Sequence, residues 1–221
     1  MEKTLLTNDQ IAVLDEFKKN KTLSRIFYLT GGTVLAEFYL WHRYSDDLDF
    51  FTAEEFPDIK VEKFIETLKI KLDAKFVSYK KLYDRRIFIF QFENKPELKI
   101  EFSLYPFKQI KQPQNFEGIL IDSLEDIATN KLMTIIDRNE PKDFFDLYFL
   151  LKDNFQLADL AENVNKKFGF KIDLLTLGGE LAKVGSLNFS IIRAIISASD
   201  EEIKRFFEKQ ADNLRKDILQ E

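Results

Sequence analysis

Asp47 and Asp49 are the side chains whose type and spacing most directly suggest chemistry. They lie in the run Ser45-Asp46-Asp47-Leu48-Asp49-Phe50-Phe51. Residues two apart on a strand share a face, so a strand over 47–52 presents both carboxylates together. Two carboxylates that close repel, and they do not both ionise without a cation between them. A hard divalent ion, bound through one or two carboxylates plus phosphate oxygens, meets that requirement. Upstream, Gly31-Gly32-Thr33 ends an apolar strand, Ile26-Phe27-Tyr28-Leu29, and opens a helix. Backbone N–H groups at such a turn are placed to meet a phosphate. A phosphate cradle followed by an acidic pair suggests metal-assisted phosphoryl or nucleotidyl transfer. Each half has a plainer reading: Gly-Gly after a strand is often only a turn, and surface strands carry Asp-x-Asp pairs. The flanking Leu48, Phe50 and Phe51 set the combination apart, because an unpaired charge beside a core is costly.

The elements that must hold these groups follow from periodicity. Residues 8–20 read as an amphipathic helix with Ile11, Val13, Leu14 and Phe17 inward. Strand 26–29 leads through the glycines into helix 33–42, and strand 47–52 carries the acids. Helix 59–72 follows Pro57, with Val61, Phe64, Ile65 and Leu68 at helical spacing. Strands are expected at 74–82, 86–93 and 97–104, with Asp84-Arg85 at a hairpin turn. Segment 86–93 is apolar on both faces, which predicts a central strand. Residues 106–117, with Pro106 and Pro113, read as a loop. From Ser123 onward the pattern is helical. Ser123 with Asp126 is close to a capping box, and Pro141 suits the first turn of helix 141–152. The expected fold is α/β (α+β): a mixed sheet flanked by helices, followed by a helical C-terminal half.

On strand 97–104, Lys99, Glu101 and Ser103 share one face. In the helix after Ser123, Lys131 interrupts the apolar stripe of Leu124, Ile127 and Ile135. A lysine there either snorkels to solvent or finds an anion. Asp143 and Asp146 stand three apart on one helix face. The chain's only histidine, His42, cannot build a zinc site without cysteines, and there are none.

The run GGT-x-LA, then HR-x-S-x-DLDFF, resembles the AbiEii/AbiGii nucleotidyltransferase toxins, a family that includes MenT-like enzymes and belongs to the polymerase-β-like nucleotidyltransferase superfamily. The likeness continues at Lys99-Ile100-Glu101-Phe102 and at Leu124-Glu125-Asp126, Ala128 and Lys131-Leu132. It ends in Asp137-Arg138 and Lys142-Asp143-Phe144, Asp146-Leu147. The resemblance implies a nucleotidyltransferase-type core over 1–122 and a helical region over 123–221 that completes the active site. It implies Mg²⁺ (or Mn²⁺) on Asp47, Asp49 and a third acid, Glu101, where relatives usually have Asp. It implies nucleotide binding by Gly31, Gly32, Thr33, Ser45, Lys131 and Asp146, with catalytic roles for Asp47, Asp49, Glu101, Lys131 and Asp143. Lys131 matches a lysine that contacts nucleotide phosphates; a buried ion pair with Asp143 explains its position equally well. Asp143 and Asp146 could hold Lys131, hold the base and ribose, or pair with Lys142. Ser45 could bind phosphate or cap its turn. His42 is expected to support the Asp strand by a hydrogen bond, and Arg43 to pair with an acid or touch phosphate. The implied reaction moves a nucleoside monophosphate from a nucleoside triphosphate to a hydroxyl on a tRNA 3′ end or a protein. The implied partner is a cognate antitoxin. A non-catalytic nucleotide- or RNA-binding module of the same fold is the rival reading.

Composition bounds these expectations. The 221 residues suit one catalytic core with a helical extension, and a chain this long buries roughly 70% of its unfolded surface without staples. The N-terminus lacks the apolar core of a signal peptide. No apolar run approaches the ~18 residues of a membrane helix. These features, with the absence of cysteine, predict a cytoplasmic protein that does not engage a membrane. A net charge of −5 argues against a broad electrostatic grip on nucleic acid. Basic residues do cluster between Lys60 and Arg86, among interspersed acids. That is either a solvated face or a local surface able to hold a phosphate backbone.

Overall fold

The computed structural model describes residues 3–220. Helix α1, Asn8–Lys19, begins at a capping box in which Thr7 and Gln10 satisfy each other's backbone N–H groups. Strand β1, Tyr28–Thr30, runs into α2, Gly31–Val34, which continues as a π-helical stretch over Leu35–Leu40. Then come β2, Leu48–Thr52; α3, Asp58–Lys71; β3, Phe76–Leu82; β4, Arg85–Gln91; and β5, Leu98–Leu104. A short hairpin follows, β6 at Gln114–Phe116 and β7 at Ile119–Ile121. The remaining helices are α4, Leu124–Asp137; α5, Pro141–Asp153; α6, Leu157–Phe168; α7, Leu174–Ala182, with a 3-10 turn at Lys183–Ser186; and α8, Asp200–Gln220. The fold is a mixed α/β sheet with flanking helices and a helical C-terminal half. No helix among the described residues is long and apolar enough to cross a membrane.

The chain forms two compact units. One holds Met1–Tyr39, Tyr44–Phe107 and Gln112–Ser123; the other holds Leu40–Arg43, Lys108–Lys111 and Leu124–Glu221. The first unit is built on one sheet of order β3-β4-β5-β2-β1-β7-β6. Strand β2 is its centre, parallel to β5 and antiparallel to β1. Alternation along β2 buries Leu48, Phe50 and Thr52 and leaves Asp49 and Phe51 partly exposed. The buried face is aromatic. Phe50 lies 4.4 Å from Phe17 of α1 and 4.9 Å from Phe102 of β5, and Phe64 of α3 closes against Phe17 and Phe102. Each fully buried phenylalanine contributes about 1.5–3 kcal/mol. The packing therefore holds the register of β2 firmly, since a one-residue slip would expose it.

In the second unit every residue of α5 from Asp143 to Leu151 is buried. A helix buried all round is a core helix. Phe144 packs on Phe207 and Tyr148 on Phe206, both from α8.

Three expectations are corrected. Strand β4 is not central; it lies one place from the sheet edge, with Phe88 and Phe90 buried and Ile87 and Ile89 only partly so. The expected loop at 106–117 contains β6, paired with β7 through a turn in which Glu117 (φ 48°) and Gly118 (φ 91°) are left-handed, as a tight hairpin requires. The helical run after Ser123 is interrupted over 187–199, where the N–H groups of Ile195 and Ile196 donate to the His42 carbonyl.

Candidate active site

Strand β2 delivers Asp49 between two neighbours. Its register partner on β1 is Thr30, the residue before Gly31; its partner on β5 is Glu101. The glycine turn and the third acid are thus set on either side of Asp49 by strand pairing alone. Gly31 has φ +78°, and a Cβ built on it would lie 2.5 Å from Asp49 Oδ2. Only glycine tolerates both the conformation and the approach. The Thr33 hydroxyl donates to the Asp47 carbonyl, which ties the start of α2 to the acidic segment. The Gln10 amide donates to the carbonyls of Ser45 (3.0 Å) and Asp46 (3.2 Å), fastening the segment that leads into β2. Thr30 Oγ1 donates to Asp122 at 2.7 Å. Gly31, Gly32, Thr33, Ser45, Asp47, Asp49 and Glu101 all belong to the first unit.

The acids have cationic partners on the same sheet. Lys99 Nζ lies 2.6 Å from Asp47 Oδ2. Glu101 is bidentate to Arg85, with Nε–Oε1 2.6 Å and Nη2–Oε2 2.7 Å, and accepts from the Ser103 hydroxyl at 2.7 Å. Burial alone would push the Glu101 carboxyl up; the Arg85 and Ser103 hydrogen bonds outweigh it and hold it below the usual carboxylate range. Burial alone would lower the Lys99 ammonium; attraction to Asp49 and Asp47 outweighs it and raises it. Among the described residues no three histidine or acidic side chains gather as a ligand set. Glu101 is beside Asp49 in register, but its oxygens face Arg85, which a strand-to-strand view of the sequence could not reveal. Asp47 and Asp49 still suit a hard divalent ion. They are two oxygen donors, Asp49 against the Gly31 backbone and Asp47 against the Lys99 ammonium, which is a stand-in cation there.

The other expected site residues form a network inside the second unit. Lys131 Nζ lies 2.8 Å from Asp143 Oδ1 and 2.6 Å from Asp146 Oδ2. Asp146 also takes a bidentate pair from Arg43 (Nε–Oδ1 2.6 Å, Nη2–Oδ2 2.7 Å) and a 2.7 Å bond from His42 Nε2. Asp143 takes a second contact from Arg138 Nε at 3.0 Å. Both acids are fully buried, so such partners are required. Burial would raise the Asp146 carboxyl, but Arg43 and Lys131 hold it well below the ordinary range. Burial would depress Lys131, but Asp146 and Asp143 raise it. Burial lowers the His42 imidazole, and its bond to Asp146 only partly offsets this. Among the described residues His42 Nδ1 finds no hydrogen-bond partner, which suits a neutral ring protonated on Nε2. The expected support of the Asp strand by His42 is corrected: its bond goes to Asp146 on α5. Lys142 pairs with Glu140 at 3.2 Å instead of with the Asp143/Asp146 pair. Asp126 accepts from the backbone of Ile110 and Lys111 and from Lys167 at 2.6 Å.

Three residues around the first-unit acids were given no site role by the sequence. Gln10 carried a signal, since Thr7-x-x-Gln10 is a capping-box spacing. Alternation sets Lys99 on the face of Glu101 and Arg85 stands at a hairpin turn, but the partners of both are set by strand order.

A family model described as nucleotidyl transferase AbiEii toxin, type IV toxin–antitoxin system, matches residues 13–220. The chain belongs to this family of nucleotidyltransferase toxins. An uncharacterised protein of Aquifex aeolicus (strain VF5), aq_aa25, is 36% identical over 145 residues, 64% of this chain and 66% of its own length. A crystal structure from H. pylori has a TM-score of 0.61 at 22% identity, over 97% of this chain and 98% of that one. MenT4, a nucleotidyltransferase toxin from Mycobacterium tuberculosis H37Rv, has a TM-score of 0.54 at 12% identity, over 94% and 84%. At these identities the two structures establish the shared fold.

Proposed function

We propose that this AbiEii-family protein transfers a nucleoside monophosphate from a nucleoside triphosphate to a hydroxyl acceptor, releasing pyrophosphate, and that it acts as a toxin restrained by a cognate antitoxin. The observation that carries the reading is the close approach of Asp49 to the Gly31 backbone. It supports setting the acidic pair and a phosphate-binding type of turn together where β1 ends and β2 begins, at the middle of the sheet. Asp47 and Asp49 would hold Mg²⁺ or Mn²⁺. Such an ion stabilises negative charge on the attacking and leaving oxygens of a phosphoryl displacement.

The chain's own groups supply the rest. Backbone N–H groups at Gly31, Gly32 and Thr33 bind phosphate oxygens, and the Ser45 hydroxyl is assigned to the same phosphate. The Thr33 hydroxyl is committed to the Asp47 carbonyl and positions it. Glu101, oriented by Arg85 and Ser103, receives the acceptor hydroxyl's hydrogen bond. For Lys131 we favour the role of holding Asp143 and Asp146 inside the helical unit over direct phosphate contact. The acceptor is a tRNA 3′ end or a protein, and the protein acts in the cytoplasm.

The test is incubation with each of four α-labelled triphosphates, Mg²⁺ and total RNA or protein. Label should enter one class of macromolecule and vanish with Asp49→Asn. The capture of Glu101 by Arg85 gives the non-catalytic reading its one support. That reading predicts triphosphate binding with no transfer of label to any acceptor.

A further inference from the structure

The acid pair proposed to take a divalent ion already faces a cation of the chain itself. Lys99 sits two residues before Glu101 on β5 and presents its ammonium to Asp47 at 2.6 Å. Strand pairing makes this placement firm. Leu48 pairs with Ile100 and Asp49 with Glu101 in a parallel register. Carried one residue beyond the paired segment, this register sets Lys99 of β5 beside Asp47, which immediately precedes β2. The two side chains are about one-third exposed, 30% for Lys99 and 34% for Asp47. The ammonium is thus within reach of water and can leave its partner without unpacking the core. Arg85 is engaged by both oxygens of Glu101, so it is not the group that neutralises Asp47.

We propose that Lys99 is a tethered competitor of the divalent cation: it neutralises Asp47 in the nucleotide-free protein and must release it for the metal to bind. This rests on the proposed metal role of Asp47 and Asp49. Two like charges, one on β2 at Asp49 and one just before it at Asp47, are unfavourable together when no ion is present. A lysine on a flexible four-carbon stem relieves that repulsion as a compact charge and can swing away. Metal binding without nucleotide is consequently weak, and a metal that arrives with a triphosphate meets a site held in shape. The released ammonium is then free to meet an anionic oxygen of the ligand.

The experiment is Mn²⁺ titration of the nucleotide-free protein, followed by electron spin resonance of free Mn²⁺. Lys99→Met keeps the stem and deletes the charge; it should bind Mn²⁺ about two- to fivefold more tightly than wild type, the scale of one partly exposed charge pair. Lys99→Arg restores the charge and should bind as wild type does. A larger rise in melting temperature on adding Mn²⁺ should accompany the tighter binding. A merely structural lysine would weaken metal binding on removal, so equal or weaker Mn²⁺ affinity in Lys99→Met overturns the proposal. Lys99→Gln repeats the measurement should the methionine variant fail to fold. Asp49→Asn separates the two levels of inference. Its loss of Mn²⁺ binding, with equal affinities for wild type and Lys99→Met, sinks the Lys99 proposal and leaves the acid-pair reading standing. Mn²⁺ binding unchanged by Asp49→Asn, or absent from every variant, sinks both.

Discussion

Lys131→Met is the substitution from which the second unit's chemistry can be read most directly. The change keeps the stem volume and deletes one charge. Lys131 contacts two carboxylates, Asp143 at 2.8 Å and Asp146 at 2.6 Å, and both are fully buried. Removing one partner of a buried pair costs about 3–5 kcal/mol, because a charge is left uncompensated. Here each acid keeps another cation, Arg138 for Asp143 and Arg43 for Asp146. The expected loss is therefore at the low end, about 3 kcal/mol. In a chain of 150–250 residues 1 kcal/mol moves the midpoint by about 2–4 °C, so the variant should melt about 6–12 °C lower. Lys166 provides an internal control. Its pair with Glu162 is exposed on both sides (58% and 63%), and Lys166→Met should cost under about 0.5 kcal/mol. The assay is thermal unfolding by circular dichroism without nucleotide, beside triphosphate binding by calorimetry. A Lys131→Met midpoint within 2 °C of wild type would refute the argument from buried charge. An unchanged triphosphate affinity would remove direct phosphate contact from the possible roles of Lys131.

The same network makes stability depend on pH in a defined direction. Burial lowers His42 below its ordinary value of 6.5. The unfolded chain then takes up a proton below about pH 6.5 that the folded protein refuses, and stability falls there by at most about 1.4 kcal/mol per pH unit. Asp146 is also lowered, so its contribution is present above its ordinary 3.8 and is lost as pH falls further; chemical denaturation between pH 7 and 4 should show decreasing stability, with a smaller decline from 7 to 5 in His42→Gln. Asp47→Ala and Asp49→Ala should each lower nucleotidyl transfer by about 10²–10³ while melting temperature holds, and full activity in either would overturn the metal-site reading. Glu101→Gln should lower turnover and leave triphosphate affinity nearly intact; wild-type turnover would confine Glu101 to its pair with Arg85. Gly31→Ala should lose about 1–3 kcal/mol from left-handed backbone and crowding of Asp49, and an unchanged urea midpoint would contradict the close approach.

The sequence by itself determined the local half of this site. Alternation around Leu48 and Phe50 decided which way Asp49 faces, because an aromatic core accepts β2 in only one register. The glycine turn before α2 was readable because no other residue tolerates its backbone angle so close to a carboxylate. The stop of the apolar stripe at Lys131 was visible too, and with it the choice between solvent and an anion. Which anion was decided by folding: α5 is buried all round, so Asp143 and Asp146 lie inside with the lysine. Sheet order likewise chose the partners of the acids in the first unit. Asp49 meets Thr30 and Glu101 because β2 is inserted between β1 and β5. Lys99 reaches Asp47 because β5 borders β2, and Arg85 takes Glu101 because β4 borders β5 on its other side. Periodicity tells a side chain which face to occupy. It cannot tell a charge which distant charge will stand beside it, because that depends on strand pairing and helix packing across separations that local pattern does not encode.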